Sequence, residues 1–432
     1  MTQARGLLRY PLKALWLLLA WSVISVAGLQ GAARAQAVPP APTRLSLPGG
    51  DAGHPALAIT AGGTLHAVWE QGGQLRHAWR EGETWQHGEP MPYSGCSAPT
   101  LAAAGNTLHL AYVRNIDGRQ VVHYRRWQGG QWSAPLAVSP RSADASEPAL
   151  AAHGDGTVAL AFVQQGMTQP ELWFATSDLG LQYPSAVMLG AGLAHGRHPA
   201  LAYDGSGALY ATWEASDPEL GEPAPEILYA LYADGHWSAE AYYVSVSPDV
   251  PSTRPAIAIV ADGGAHLVWQ EGGEGPTGAA EVYYAAEDGP TGGQRLSSGY
   301  QRAHAPCLAA DSTGSLHAVW DEGGVSLRYR RLPAPGQAWQ PPLDLAIGHG
   351  VSDPVIVIGS DGAAHIAWVQ ADATGARAVY YLAYPGQPVE TATPSPTASA
   401  TPTLTVEPAS TATPTATPPA ASPTATTAPR ER

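Results

Sequence analysis

Arginines, histidines and carboxylates gather where a repeated chain keeps returning to one end of its units. Arg197, His198, Arg254, Arg302 and Asp353 each stand just before an apolar run, while Glu70, Glu214, Glu271 and Asp321 follow a tryptophan by one or two positions. Guanidinium groups in such a set suit an acidic ligand. Two carboxylates flanking a pocket suit proton transfer to a glycosidic oxygen, and mixed charge in a pocket suits a polar ligand in general. Metal chemistry is not expected. His66, His109, His266, His317 and His365 recur at one position of the repeat, so each falls in a separate unit. They cannot converge on the roughly 2 Å distances a zinc ion needs. No His-Glu-x-x-His, phosphate-binding glycine loop or Asp-rich calcium loop is present, and no cofactor is implied.

The elements that must position these residues are read from the repeat. A proline opens an apolar stretch at Pro55, Pro99, Pro148, Pro199, Pro255, Pro306 and Pro354, at intervals of 44, 49, 51, 56, 51 and 48 residues. Propeller blades of four strands run roughly 40–50 residues. In each unit the proline-led run reads as strand a, and a turn such as Asp204-Gly205-Ser206-Gly207 leads to strand b, Leu-His-x-x-Trp. An aromatic run then forms strand c, and Gly-x-Trp often turns the chain into strand d. The third unit is degenerate, with Ala159 and Phe162 at the histidine and tryptophan positions. The seventh unit lacks its last strand, and residues 43–48 (TRLSLP) resemble the strand-d segment Arg295-Leu296-Ser297. The expected fold is all-β, a seven-bladed β-propeller of four-stranded blades whose N-terminal strand closes the last blade. The d→a and b→c loops then share one face, which carries the candidate residues. The strand-b tryptophans read as core, and the histidines as repeat-structural groups bonding between blades.

Composition narrows the partners. Four of the 22 basic residues lie before a signal-type cleavage point, leaving 36 acids against 18 arginines and no lysine. A net charge near −18 disfavours nucleic acid and anionic membranes, which need a basic footprint. The two cysteines exclude a disulfide framework. Cys96, placed in a d→a loop, and Cys307, in strand a of the sixth unit, belong to distant blades and are expected to be unpaired. Residues 1–35 read as a signal peptide: Arg5, Arg9 and Lys13, then an apolar stretch, then Ala33-Arg34-Ala35. Residues 36–42 form a short linker and 43–388 the propeller. Residues 389–432 read as a disordered stalk, because nine prolines and thirteen threonines after position 390 leave little to bury.

The grammar Pro-x-Leu-Ala-x-Asp-x-x-Gly-x-Leu-His-x-x-Trp-x-Glu, followed by Leu-x-Tyr and Gly-x-Trp-Ser, resembles the sialidase-like, BNR (Asp-box) repeat propellers of secreted bacterial proteins. One full Asp-box stands at Thr176-Ser177-Asp178-Leu179-Gly180-Leu181-Gln182-Tyr183. The resemblance implies that Thr176, Asp178, Gly180 and Tyr183 form a structural turn between strands c and d. Sialidases carry six blades and an Arg-Ile-Pro motif; here seven units are counted and Arg44-Leu45-Ser46-Leu47-Pro48 stands in its place, so no catalytic residue transfers. The expectation is a secreted or cell-surface monomer, a non-catalytic propeller binding an extracellular glycan or other polymer. Alternatives are an exo-sialidase-like glycoside hydrolase and a cell-envelope scaffold for a protein partner.

Overall fold

The structure, a computed structural model, describes residues 39–385 apart from 168, 178–186, 189–195, 218–221, 239–240, 248, 274–278 and 300–301. The expected signal segment 1–35, the expected stalk 389–432 and the box residues Asp178, Gly180 and Tyr183 lie outside the described residues. Thr176 is the penultimate residue of strand c of the third blade, Pro170–Ser177, opposite Ala159. Among the described residues no helix is long and apolar enough to cross a membrane.

Seven antiparallel sheets of four strands form the domain, two of them with an extra outer strand segment. Strand a of successive blades spans Ala52–Ile59, Cys96–Ala104, Ala145–Ala152, Arg197–Tyr203, Ser252–Ile259, Ala303–Ala310 and Ser352–Ile358. Each strand a touches the next, and the seventh touches the first, so these strands line the axis of a closed ring. Strand b spans Leu65–Gln71, Thr107–Ile116, Val158–Gln165, Leu209–Asp217, Ala265–Gly272, Leu316–Glu322 and Ala364–Ala371. In the second and fourth blades strand d comes in two pieces, Gln131–Trp132 with Leu136–Ala137, and His236–Trp237 with Tyr242–Tyr243.

The cores lie between neighbouring blades. Trp69, Trp213, Trp269, Trp320 and Trp368 of strand b are fully buried. Four of them donate Nε1–H to the side chain two positions on: Gln71 at 3.3 Å, Glu271 at 2.8 Å, Glu322 at 2.9 Å and Gln370 at 3.1 Å. A buried indole N–H needs such an acceptor. The strand-b histidines bond within their own blade rather than between blades, because strand c sets a tyrosine opposite the position two residues on. His109 Nδ1 meets Tyr124 Oη at 2.7 Å, and His266–Tyr284, His317–Tyr329 and His365–Tyr381 repeat the contact at 2.8, 2.7 and 2.7 Å. At the a→b turns an aspartate Oδ1 accepts backbone N–H groups, as Asp311 does from Thr313 and Ser315 at 2.9 and 2.8 Å.

Ring closure follows the expected route. Thr43 and Arg44 pair with Tyr381 and Tyr380 of strand c in the seventh blade, Arg377–Tyr384. Leu45 and Ser46 then both direct their N–H groups to the Val379 carbonyl, at 2.8 and 3.2 Å, while Ser46 Oγ accepts from Val379 N at 3.0 Å. Ser297 repeats this motif with Val282 N at 2.9 Å. Arg44 adds an ion pair to Asp372 at 2.9 Å. Leu45 is 1% exposed, packed in the core shared by the first and seventh blades. Both cysteines are free, but Cys96 begins strand a rather than lying in a loop, and burial pushes its thiol up to about 11.

Leu45→Ala is expected to cost about 3 kcal/mol, the scale of a leucine cavity in a packed core. Leu47→Ala, at a 43% exposed position, is expected to change stability by less than about 0.5 kcal/mol. Equal melting of the two variants in urea would contradict the closure described here.

Candidate functional site: the axial mouth

Proline has no N–H to give a ladder, so each strand a bulges where its proline falls. The register slips at the same place in all seven blades, for example between Thr253 and Ala256 and between Ser352 and Val355. In every blade the residue before that proline adopts positive φ: His54, Ala98, Glu147, His198, Arg254, Ala305 and Asp353, with φ from 48° to 53°. Such a backbone is unfavourable for non-glycine residues, and bulges re-aim side chains. None of the seven is buried. They form a ring at one mouth of the axis, and its sequence varies freely because the bulge depends on the proline that follows.

The ring has two polar sectors. In the third and fourth blades, Glu147 accepts the backbone N–H of His198 at 2.7 Å and pairs with Arg197 at 3.4 Å. His198 Nδ1 lies 3.1 Å from Glu214 Oε1, and Glu214 also accepts the Arg254 N–H at 2.8 Å. Burial works against the charge of His198, but the contact with Glu214 and the nearby charges outweigh it and hold the imidazole above its ordinary value. Arg197 and Glu214 line a small cavity of about 170 Å³.

In the fifth to seventh blades a larger cavity of about 360 Å³ is lined by Arg254, Gln270, His304, Ala305, Asp321, Ser352 and Asp353. Arg254 and Asp353 leave the bulges on either side of the one at Ala305, whose methyl leaves the space between them open. His304 Nδ1 donates to Gln270 Oε1 at 3.2 Å. Asp353 Oδ2 accepts from Ser352 Oγ and Arg377 Nη2, both at 3.3 Å. Asp321 forms the wall, with one backbone donor, Gly324 N, at 3.2 Å. Burial pushes its carboxyl up to about 7, and the Asp353 charge adds to the rise against Gly324 and Arg254. A carboxyl of this kind can hold a proton for a ligand oxygen at neutral pH.

The structure brings Arg254, Asp321 and Asp353 to one cavity and Arg197, His198 and Glu214 to the neighbouring sector, while Glu70, Glu271 and Arg302 line neither cavity. Glu70 stands in the first blade, 3.3 Å from His54. Glu271 is not at the site as a ligand group: it accepts from Trp269 Nε1 and from Ser252 Oγ at 2.7 Å, a structural task set by the repeat. Arg302 contributes its carbonyl to Gly323 N at 2.5 Å and lines neither cavity. The three arginines therefore form no cluster. Gln270 and Ser352 were not foreseen; Gln270 occupies the repeat position of Glu214 and Asp321, and that alignment could have found it. Among the described residues, no group of three His, Cys, Asp or Glu is placed to hold a metal ion.

Fold and mouth together define a seven-bladed propeller with a polar axial cavity. No protein-family model and no curated protein matches the chain, so the likeness to Asp-box propellers rests on the repeat grammar. Among solved structures it is similar to an ulvan lyase of polysaccharide lyase family PL25, with 11% identity, a TM-score of 0.57, and 78% of this chain and 95% of that one covered. It is also similar to the alpha-L-arabinofuranosidase Arb93A of Fusarium graminearum, with 12% identity, a TM-score of 0.51, and coverage of 81% and 98%. At such identities the likeness shows the fold.

A raised carboxyl gives a sign for stability. Unfolded aspartate titrates near about 3.9, below Asp321 in the fold, so folding takes up a proton between about pH 4 and 7. This contribution is present below about pH 4 and lost as pH rises through about 7. In Asp321→Asn, the melting temperature relative to the native chain is expected to climb from about pH 4 to about pH 8. A constant offset would show that Asp321 is not raised.

Proposed function

We propose that the protein is an exported propeller that recognises an extracellular glycan at the axial mouth of its fifth to seventh blades, without cleaving it. The observation that carries this reading is the cavity of about 360 Å³ between Arg254 and Asp353. Its volume falls in the range of small-ligand sites, roughly 300–1,000 Å³. Its lining alternates donors and acceptors, as sugar hydroxyls require. The leader-like residues 1–35 and the Thr/Pro stalk support export and display. Two of its fold neighbours, an arabinofuranosidase and an ulvan lyase, act on glycans, which agrees with a saccharide as ligand. The separation of Arg197 and Arg302 from Arg254 counts against a sialidase-like grip.

One observation favours cleavage as the second reading: the raised Asp321 carboxyl stands beside the charge of Asp353. A glycosidase needs a protonated acid and a second carboxylate on one pocket. A glycan array and a fluorogenic glycoside panel, run on the full chain, separate the readings. Binding lost on the order of tenfold in Arg254→Ala, with no turnover, is the expected result. Turnover abolished by Asp321→Asn would establish the hydrolase instead. Silence in both assays would refute both and leave a protein partner as the ligand.

A further inference from the structure

A cavity of about 510 Å³ lies on the opposite face, between the first two blades. Its walls come from a→b and c→d turns, which the antiparallel order a-b-c-d places away from the axial mouth. Thr60, Gly62, Thr64 and Asn106 belong to two a→b turns, Glu81, Gly129 and Gly130 to two c→d turns, and His66, Trp79 and Trp127 form the inner wall.

This part of the ring departs from the repeat. The strand-c position facing the strand-b histidine holds Trp79 in the first blade, but Arg126, Ala286, Arg331 and Ala383 in others. The fold therefore does not require a large aromatic residue there. Trp79 is half-buried, lies 6.1 Å from Trp127 between ring centroids, and donates Nε1–H to Glu81 at 2.9 Å, which fixes the indole plane. The two turns are fastened together at the rim. Ala61 N donates to Gly105 O at 2.8 Å, and Gly62 N to Asn106 Oδ1 at 2.8 Å. With Oδ1 occupied, the Asn106 amide presents its NH₂ group.

A proton chain fixes what His66 offers. His77 takes the place of the strand-c tyrosine, so His66 Nδ1 meets His77 Nε2 at 3.1 Å. Trp132 Nε1, which can only donate, gives its hydrogen to His77 Nδ1 at 3.3 Å. His77 must then carry its proton on Nε2 and donate to His66 Nδ1, leaving the His66 proton on Nε2. Burial lowers His66 to about 4 and His77 to about 3, so both rings are neutral and these tautomers hold at neutral pH. In the sixth blade the equivalent His317 Nε2 meets Asp311 at 3.3 Å. The first a→b turn, Thr60-Ala61-Gly62-Gly63-Thr64, has no aspartate, and His66 Nε2 has no hydrogen-bond partner among the described residues.

We propose that this cavity is a second carbohydrate site, which takes the flat face of a neutral pyranose residue against Trp79. Its C–H face meets the indoles, one hydroxyl oxygen accepts from His66 Nε2–H, and others reach the Asn106 NH₂ and the Glu81 carboxylate. Neutrality of the ligand follows from the lining, which holds one carboxylate, the uncharged His66 imidazole and no arginine or lysine. An acidic sugar would meet Glu81 without a compensating charge.

Titration of the full chain with hexaoses of glucose, mannose and xylose, followed by tryptophan fluorescence and calorimetry, tests the site, with a galacturonate hexaose as the acidic control. At least one neutral hexaose is expected to bind, with affinity falling about tenfold in Trp79→Ala and largely restored in Trp79→Tyr. In an Arg254→Ala background the loss caused by Trp79→Ala is expected to be the same, which separates this site from the axial mouth. The proposal is overturned if no neutral hexaose binds, if Trp79→Ala binds as well as the native chain, or if galacturonate binds equally. The half-exposed position of Trp79 keeps Trp79→Ala folded, and an unchanged melting curve checks this.

Discussion

The contact between Leu45-Ser46 and Val379 is what the rest of the molecule depends on. Seven sheets packed face to face have six interfaces if the ring is open and seven if it is closed. The seventh, between the first and last blades, holds Trp69, Val369 and Tyr381 beside Leu45 in one core. Its outer strand is borrowed from the other end of the chain, so opening it would expose both that core and two unpaired edges. Arg44 and Asp372 add an ion pair at the surface of the same joint, and the Arg377 N–H reaches Asp51 of the first blade at 3.0 Å. Both candidate sites presuppose this closure, because one lies at the axis and the other between the first two blades.

How far the sequence exposes the structure differs between fold and site. Periodic signals are copied around the ring, the strand-a proline in all seven units and the strand-b tryptophan in five, with Tyr112 and Phe162 in the other two, and together they specify blade number and strand order. Residues that recur are structural for that reason. Glu271 looked like a free carboxylate until its role as a tryptophan acceptor became visible, although Gln71, Glu322 and Gln370 occupy the same repeat position. The converse also holds. Trp79 is informative because it breaks the pattern by adding an aromatic surface, while Ala305, like Ala98, leaves the mouth open where it falls. What the sequence hides is convergence. Nothing in the spacing of Arg254, Asp321 and Asp353 says that three blades bring them to one cavity, while Arg197 and Arg302 turn elsewhere.

The bulge before each proline links these two levels. It is a local consequence of a missing N–H, yet it points a ring of variable side chains toward the axis. One scaffold position can therefore hold histidine, glutamate, arginine, aspartate or alanine without disturbing the sheets. Side chains at the mouth can change with little effect on folding, and this separation lets a rigid repeat present variable groups on one face.

Two aspartates of the sixth blade show how the scaffold assigns a structural role or a reactive one. Asp311 and Asp321 flank strand b at opposite ends, and burial disfavours the charge on both. At the turn, Asp311 accepts from Thr313 and Ser315 N–H groups, from the Thr313 hydroxyl at 2.6 Å and from His317, and these donors hold it down at about 2. At the mouth, Asp321 has the Gly324 N–H alone and faces the charge of Asp353, so burial prevails and the carboxyl rises to about 7. Donor supply at Asp311 and the deeper burial of Asp321 together set the two carboxyls apart. A turn satisfies its aspartate fully because the turn is what the aspartate builds. Among the described residues the mouth supplies Asp321 with fewer donors than the turn gives Asp311, so a carboxyl of the same blade keeps its proton to nearer neutral pH at one end of the strand and loses it at the other.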